Sequence, residues 1–367
     1  MSQGSIIPPT AKYWIGFQQT KRIGPVRLQR LLEHFTTIDA AWHAPVADLR
    51  SVLDETSLDR FVAVRREFDG DAEIERIDRL GISISTLDSA TYPALLREIP
   101  NPPSVLYYKG TLVAEDARSV GIVGSRNCTP YGRQMAQTIS RDLAAAEITV
   151  ISGLALGIDG QAHRGALEGG GRTIAVLGSG VDQIYPGSHR ELAERIAESG
   201  AIVSDYPPGT KPDARNFPPR NRIIAGMTRG TVVIEAPIRS GALITVEFAL
   251  DYGRDVMCVP GHANSDASAG TLRAIRDGAR MVTSARDILE DLGMATVMTG
   301  ESMQQSFPMT DDERHLYKYV RWEPMHIDEI AVSAGIPAHI CSGLLVLLEL
   351  KGAVRDAGGQ HFVRATT

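Results

Sequence analysis

The sequence predicts an α/β protein: a doubly wound, Rossmann-like parallel sheet, preceded by an all-helical segment and followed by a winged helix. Three observations carry the prediction. Between about residue 105 and residue 292, continuous Val/Ile runs alternate with helix-length segments, as in a parallel sheet buried on both faces. Before residue 88 there are short amphipathic stretches with almost no β-branched alternation. After residue 309, helix-length segments lead to two strand-like arms around Gly358-Gly359.

In chain order, helices are expected at 26–35, 46–53, 57–69 and 71–80. The turn Lys21-Arg22-Ile23-Gly24-Pro25 resembles half of a helix-hairpin-helix element, which holds DNA phosphates on backbone N–H groups. A plain helix start with Pro25 in its first turn accounts for the same residues, and is the simpler reading. Strands are expected at 118–123, 148–151, 172–177, 201–204, 231–235, 255–259 and 280–283. Between them fall helices at 131–146, 158–168, 188–199, 219–227, 241–253 and 269–278. The Met/Ser/Gln/Gly-rich stretch 293–309 reads as a linker. Helices at 310–320, 326–333 and 337–350 then precede the hairpin, the order of a winged-helix domain. The expected domains are therefore 1–88, 89–292 and 310–367.

Composition is that of a globular protein, with 43% hydrophobic and 22% charged residues, which excludes a disordered chain or a fibrous rod. No run approaches the ~18 apolar residues of a membrane helix, so no membrane partner is expected. The first residues lack the basic and apolar regions of a signal peptide. Cys128, Cys258 and Cys341 are scattered without CxxC spacing, which points to a reduced, cytoplasmic setting and to no metal.

Net charge is −6 and is spread over the whole chain. Residues 1–88 carry 11 basic and 13 acidic groups, 89–292 carry 21 and 22, and 293–367 carry 6 and 9. One segment departs from this balance. Residues 209–229 hold Lys211, Arg215, Arg220, Arg222 and Arg229 against Asp213 alone. A local field of this kind steers a polyanion whatever the total charge.

Ligands of a doubly wound sheet bind beyond the carboxyl ends of its strands. Here those ends read Gly124-Ser125-Arg126, Ser152-Gly153, Gly178-Ser179-Gly180, Asp205-Tyr206 and, after Glu235, Ser240-Gly241. Repeated Gly and Ser at one edge suit a phosphate-bearing ligand, although a single such loop would serve turn geometry alone. The stretch Asn216-Phe217-Pro218-Pro219-Arg220-Asn221-Arg222 adds an aromatic ring among guanidinium groups, the mixture that single-stranded nucleic acid requires. The alternative for these residues is a loop whose arginines make ion pairs and whose phenylalanine is core.

The familiar catalytic and nucleotide signatures are missing. There is no GxxxxGK[ST], no GxGxxG after the first strand, no GxSxG and no HExxH. Asp159 and His163 stand four apart on an expected helix, a spacing more often used for packing than for a metal. Glu235 and Glu247 are carboxylates near the same edge without a fixed partner. No cofactor and no catalytic residue is therefore expected.

The segments GIVGSRNCTPYG (121–132), ISGLALGIDGQAH (151–163), AVLGSGVDQIYPGSH (175–189), SDYPPGT (204–210), FPPRNRIIAGMT (217–228), VVIEAPIRSGALIT (232–245) and CVPG (258–261) resemble, in order, those of the DprA (DNA-processing protein A, Smf) family. They cover roughly half the chain. The resemblance implies a SAM-like helical domain before the Rossmann-like one and a winged helix after it. It implies a non-enzymatic protein that binds and protects single-stranded DNA during natural transformation. It further implies loading of RecA recombinase and homodimerisation through the Rossmann-like domain. The implied DNA site comprises Gly124, Ser125, Arg126, Ser152, Gly153, Lys211, Arg215, Phe217, Arg220, Asn221, Arg222, Ser240 and Gly241. Arg126 and Arg222 would take phosphates, and Phe217 a base. Leu156, Asp205 and Leu272 depart from residues common in the family, where arginine, glutamate and asparagine stand.

Two other readings compete. The stretch Ser240–Glu247 loosely echoes the phosphate-binding turn of LOG-type nucleotide phosphoribohydrolases, an enzyme reading that would depend on Glu247. A winged-helix transcription regulator would need Arg, Asn or Gln on its reading helix, but 338–350 is dominated by Leu and Ile.

Overall fold

The computed structural model describes residues 5–294 and 309–364; most of the linker expected at 293–309 lies outside them. A nine-stranded sheet is the centre of the first compact unit. Its strands are β1 (Ser83–Thr86), β2 (Val105–Gly110), β3 (Ser119–Val123), β4 (Thr149–Ser152), β5 (Thr173–Val176), β6 (Ala201–Ser204), β7 (Gly230–Val233), β8 (Asp255–Cys258) and β9 (Arg280–Met281). The order is β1-β2-β6-β5-β4-β3-β7-β8-β9. From β6 through β5, β4, β3, β7 and β8 to β9 the neighbours pair in parallel, and β1 and β2 add an antiparallel flank beside β6.

The parallel strands fall within about two residues of their expected places because both faces are apolar. Neighbouring residues serve different cores: Val232 packs with Val120, Val150 and Leu143, whereas Val233 packs with Ile174, Val176 and Ile224. The antiparallel flank is an addition to the sequence reading, which starts its strands at 118. β1 also lies before residue 88, the expected end of the helical segment. One apolar core runs from Trp14, Phe17 and Phe61 through Ile84 and Tyr107 to Ala175, Leu177 and Leu192. The helices before residue 83 thus share their core with the sheet. Gln18 adds a polar tie: its amide donates to the Asp205 carbonyl (2.9 Å) and accepts from the Tyr107 hydroxyl (2.8 Å).

At Lys21–Pro25 the structure has an ordinary helix start. Gly24 is the cap residue and Pro25 opens the helix Pro25–Phe35.

The second unit is a small winged helix with its own core of Leu316, Ile330, Cys341, Leu345 and Phe362. Helices Asp311–Tyr317, Ile327–Ala334 and Ala338–Leu350 pack on a three-stranded sheet ordered β10 (Met325–His326), β12 (His361–Arg364), β11 (Val354–Gly358). The helix Ala338–Leu350 exposes Ile340, Val346 and Leu347, and the stretch 327–350 contains no Lys or Arg.

His163, in the helix Ile158–Glu168, is fully buried against the sheet. The Thr173 hydroxyl donates to the Val150 carbonyl (2.7 Å), so the His163 Nδ1–H donates to that hydroxyl (2.7 Å) and Nε2 keeps a lone pair without a partner. Burial pushes this imidazole down to about 3 from 6.5, and the nearby His189, Arg220 and Arg164 push the same way. Because the folded value is the lower one, its contribution is complete above pH 6.5 and is lost as pH falls towards 3. Urea titrations between pH 6 and pH 4 should therefore show stability falling by about 1.4 kcal/mol per unit from this residue, a slope that His163→Gln removes. An unchanged slope in the variant would contradict the assignment.

Candidate nucleic-acid interface

The sheet order places a topological switch between β3, whose connections run towards β4, and β7, reached from β6 across the sheet. Ligands of such sheets bind beyond the carboxyl ends at this point. The loop Gly124–Arg126 leaves β3 there. It is fixed by the Ser125 N–H donating to the Glu235 carbonyl (2.7 Å) and by the Ile158 N–H donating to the Ser125 carbonyl (3.1 Å). The side chain of Glu235 is buried and accepts from the N–H and hydroxyl of Thr129, both at 2.7 Å, so it orders the start of the helix Pro130–Ala145. Glu235 is therefore not a free hydrolytic base. Glu247 is exposed on the helix Ala242–Asp251.

A buried ion pair lies beneath the edge. Arg220 is 4% exposed, and its Nη1 donates to the carbonyls of Gly153 (2.8 Å) and Val176. Asp159 is its main counter-charge and accepts from the N–H groups of Gly153 (3.1 Å) and Ala155 (3.4 Å). Burial pushes Arg220 down to about 10 and pushes Asp159 up. Asp159 and His163 thus serve different partners and form no shared site.

Several expected DNA residues are occupied internally. Arg220 presents no free cation. The Ser152 hydroxyl is buried on the Ile122 carbonyl (2.6 Å), and Gly153 is enclosed by Arg220 and Asp159. Arg222 braces the fold, donating to Asp205 (2.6 Å) and to the Asn101 carbonyl (2.7 Å). For these arginines the structure realises the alternative of internal ion pairing. Asn221 Nδ2 donates to the Gly241 carbonyl (3.2 Å), and the Ser240 hydroxyl accepts from Ala242 N–H (3.3 Å), so both order the loop before the helix at 242. The Ser125 hydroxyl accepts from Asn127 N–H (3.2 Å).

What faces solvent is narrower. Arg126 and Lys211 are exposed. Arg215 is exposed as well and is paired with Asp213 (2.6 Å). Phe217 opens the helix Phe217–Gly226 and is half-buried against Gly178. The Arg126 guanidinium sits over its ring at 5.3 Å, and Tyr185 stacks on it with centroids 5.7 Å apart and planes at 27°. Tyr185 is 48% exposed. Sequence reasoning missed Tyr185; the signal was an aromatic beyond a Gly/Ser-rich strand end, in the segment Gln183-Ile184-Tyr185.

Fold and edge together define a Rossmann-like α/β protein with a guanidinium and stacked rings at its switch point, joined to a winged helix. Residues 83–293 match the family described as DNA recombination-mediator protein A, and 301–360 match the DprA winged helix domain. A Synechocystis relative, Protein Smf, is 37% identical over 96% of this chain and 98% of its own. The DNA processing protein DprA of Streptococcus pneumoniae is 44% identical over 57% of this chain and 73% of its own. An X-ray structure of DprA from that organism matches with TM-score 0.68 and 34% identity, covering 76% of this chain and 97% of the other. A DprA structure from Helicobacter pylori, described as giving insight into its single-stranded DNA binding mode, matches with TM-score 0.51 and 28% identity, covering 57% and 95%. The chain belongs to the DNA recombination-mediator protein A family.

Arg220→Ala should cost about 3–5 kcal/mol of stability, because it strands a buried carboxylate and two carbonyls. Chemical denaturation reads this loss directly. A variant as stable as wild type would mean that the guanidinium is not a structural tie.

Proposed function

We propose that this protein binds single-stranded DNA without sequence preference, through Arg126, Lys211 and Phe217 at the switch-point edge. The observation that carries the reading is the exposed Arg126 guanidinium over the Phe217 ring, beside a second stacked ring. A cation beside open aromatic surface meets the two needs of an unpaired strand, charge for phosphates and faces for bases. The Helicobacter pylori relative, whose structure concerns single-stranded DNA binding, supports it. Arg215 joins the site at little cost, since its exposed pair with Asp213 is worth at most about 1 kcal/mol. Gly124, Ser125, Asn221, Ser240 and Gly241 shape the surrounding loops. Handing the strand to RecA during transformation, a homodimer through the Rossmann-like domain, a cytoplasmic location and the absence of catalysis complete the reading. They rest on the family resemblance.

Fluorescence anisotropy of a labelled dT oligonucleotide and a matched duplex, across a salt series, tests this. Wild type should prefer the single strand, and Arg126→Ala should bind more weakly with a salt slope shallower by about 0.7. Equal affinity for both DNAs, or none for either, would sink the proposal.

A further inference from the structure

The Phe217 ring is half-buried and already has contacts within the protein. Tyr185 lies on it, Arg126 lies over it, and a side chain on Gly178 would strike it. The ring that keeps more open surface is Tyr185.

A second open apolar group stands on an adjoining loop. Residues 153–157 connect β4 to the helix Ile158–Glu168, and Leu156 there is 49% exposed. This loop is held rigidly. Asp159 accepts from the N–H groups of Gly153 and Ala155, the Gly160 N–H donates to the Ala155 carbonyl, and His189 Nδ1 donates to the Leu154 carbonyl (3.0 Å). Leu154 is kept at φ 57, a conformation unfavourable for a residue with a Cβ. Gly157 has φ 75, and a Cβ there would run into the carbonyl oxygens of Ser125 and Arg126. Strain of this kind persists where the surroundings over-determine it, and it clusters at ligand clamps.

The contacts close into a ring. Gly157 abuts the backbone of Arg126, Arg126 covers Phe217, Phe217 stacks on Tyr185, and the loop after Tyr185 returns through His189 to Leu154. The loop bearing Leu156 and the segment bearing Tyr185 are therefore tied to the same strand-end framework. A lone exposed leucine needs no explanation, but Leu156 stands on a strained loop whose next residue abuts the Arg126 backbone.

We propose that Tyr185 and Leu156 form the outer wall of this edge and hold nucleobases, Tyr185 by stacking on its open face and Leu156 by apolar contact. Phe217, besides bordering the strand, backs Tyr185 and Arg126. The inference rests on the single-strand reading and makes the bases, rather than phosphates alone, a source of affinity. Neither residue carries charge, so removing either should leave the salt dependence unchanged.

The test compares a dT oligonucleotide with an abasic deoxyribose-phosphate oligonucleotide of equal length, using the full-length protein at fixed salt and across a salt series. Tyr185→Ala should weaken dT binding by roughly five- to tenfold, leave abasic binding and the salt slope unchanged, and be rescued by Tyr185→Phe. Leu156→Ala should give a smaller loss of the same kind. If Tyr185→Ala binds dT as wild type does, or loses the same factor on abasic DNA, the inference fails while the single-strand function stands. If wild type binds neither oligonucleotide, both fail together. Thermal melting of Tyr185→Ala guards against misfolding: a melting curve like that of wild type assigns a dT-specific loss to the missing ring.

Discussion

The carboxyl edge of the sheet depends on the guanidinium of Arg220 beneath it. That group ties the carbonyl ends of β4 and β5, through Gly153 and Val176, and meets Asp159, which in turn fixes the first turn of the following loop. Few other side chains could do this. Both carbonyls accept from one guanidinium nitrogen, Nη1, and the burial of that charge needs a carboxylate close by. Such a pair adds little net stability over an apolar substitute, but it fixes geometry, because losing either member leaves an uncompensated buried charge. The loops bearing Leu156, Tyr185 and Arg126 all lie in the frame it sets.

Much of this was legible in the sequence, for identifiable reasons. The parallel strands were clear because residues such as Val232 and Val233 face two different cores, so both must be apolar. The Gly/Ser-rich strand ends marked the edge. The antiparallel flank was not legible: Ser83–Thr86 is short and three of its four residues are polar, and its burial comes from helices far away in sequence. The basic stretch was legible as a cluster but not as individual fates. Arg220 and Arg222 turn inward because Asp159 and Asp205 arrive from other strand ends, and spacing along one segment cannot reveal partners on another. Tyr185 escaped notice because it carries no charge and belongs to no catalytic pattern.

The winged helix divides in the same way. Its order of helices and hairpin follows from the pattern, and Gly358-Gly359 supplies the positive φ that the wing needs. Its reading helix, however, faces solvent with Ile340, Val346 and Leu347 and without a guanidinium. Base edges are read by donors and acceptors, and on this helix the exposed ones are His339, Ser342 and Glu349 rather than Arg, Asn or Gln.

The tie through Gln18 has a consequence for how this architecture can be shortened. The family match begins at residue 83, yet Tyr107 on β2 and the backbone at the end of β6 find a common partner in a helix far upstream. Cutting the chain there would leave a phenol and a carbonyl unsatisfied and would lay bare Ile84, Val105 and Leu177, which share a core with Trp14 and Phe17. The helical layer therefore behaves as the sheet's second skin. A lineage that discarded it would have to rewrite the outer face of the sheet, replacing aliphatic residues with polar ones along β1, β2 and β5 in step with the loss.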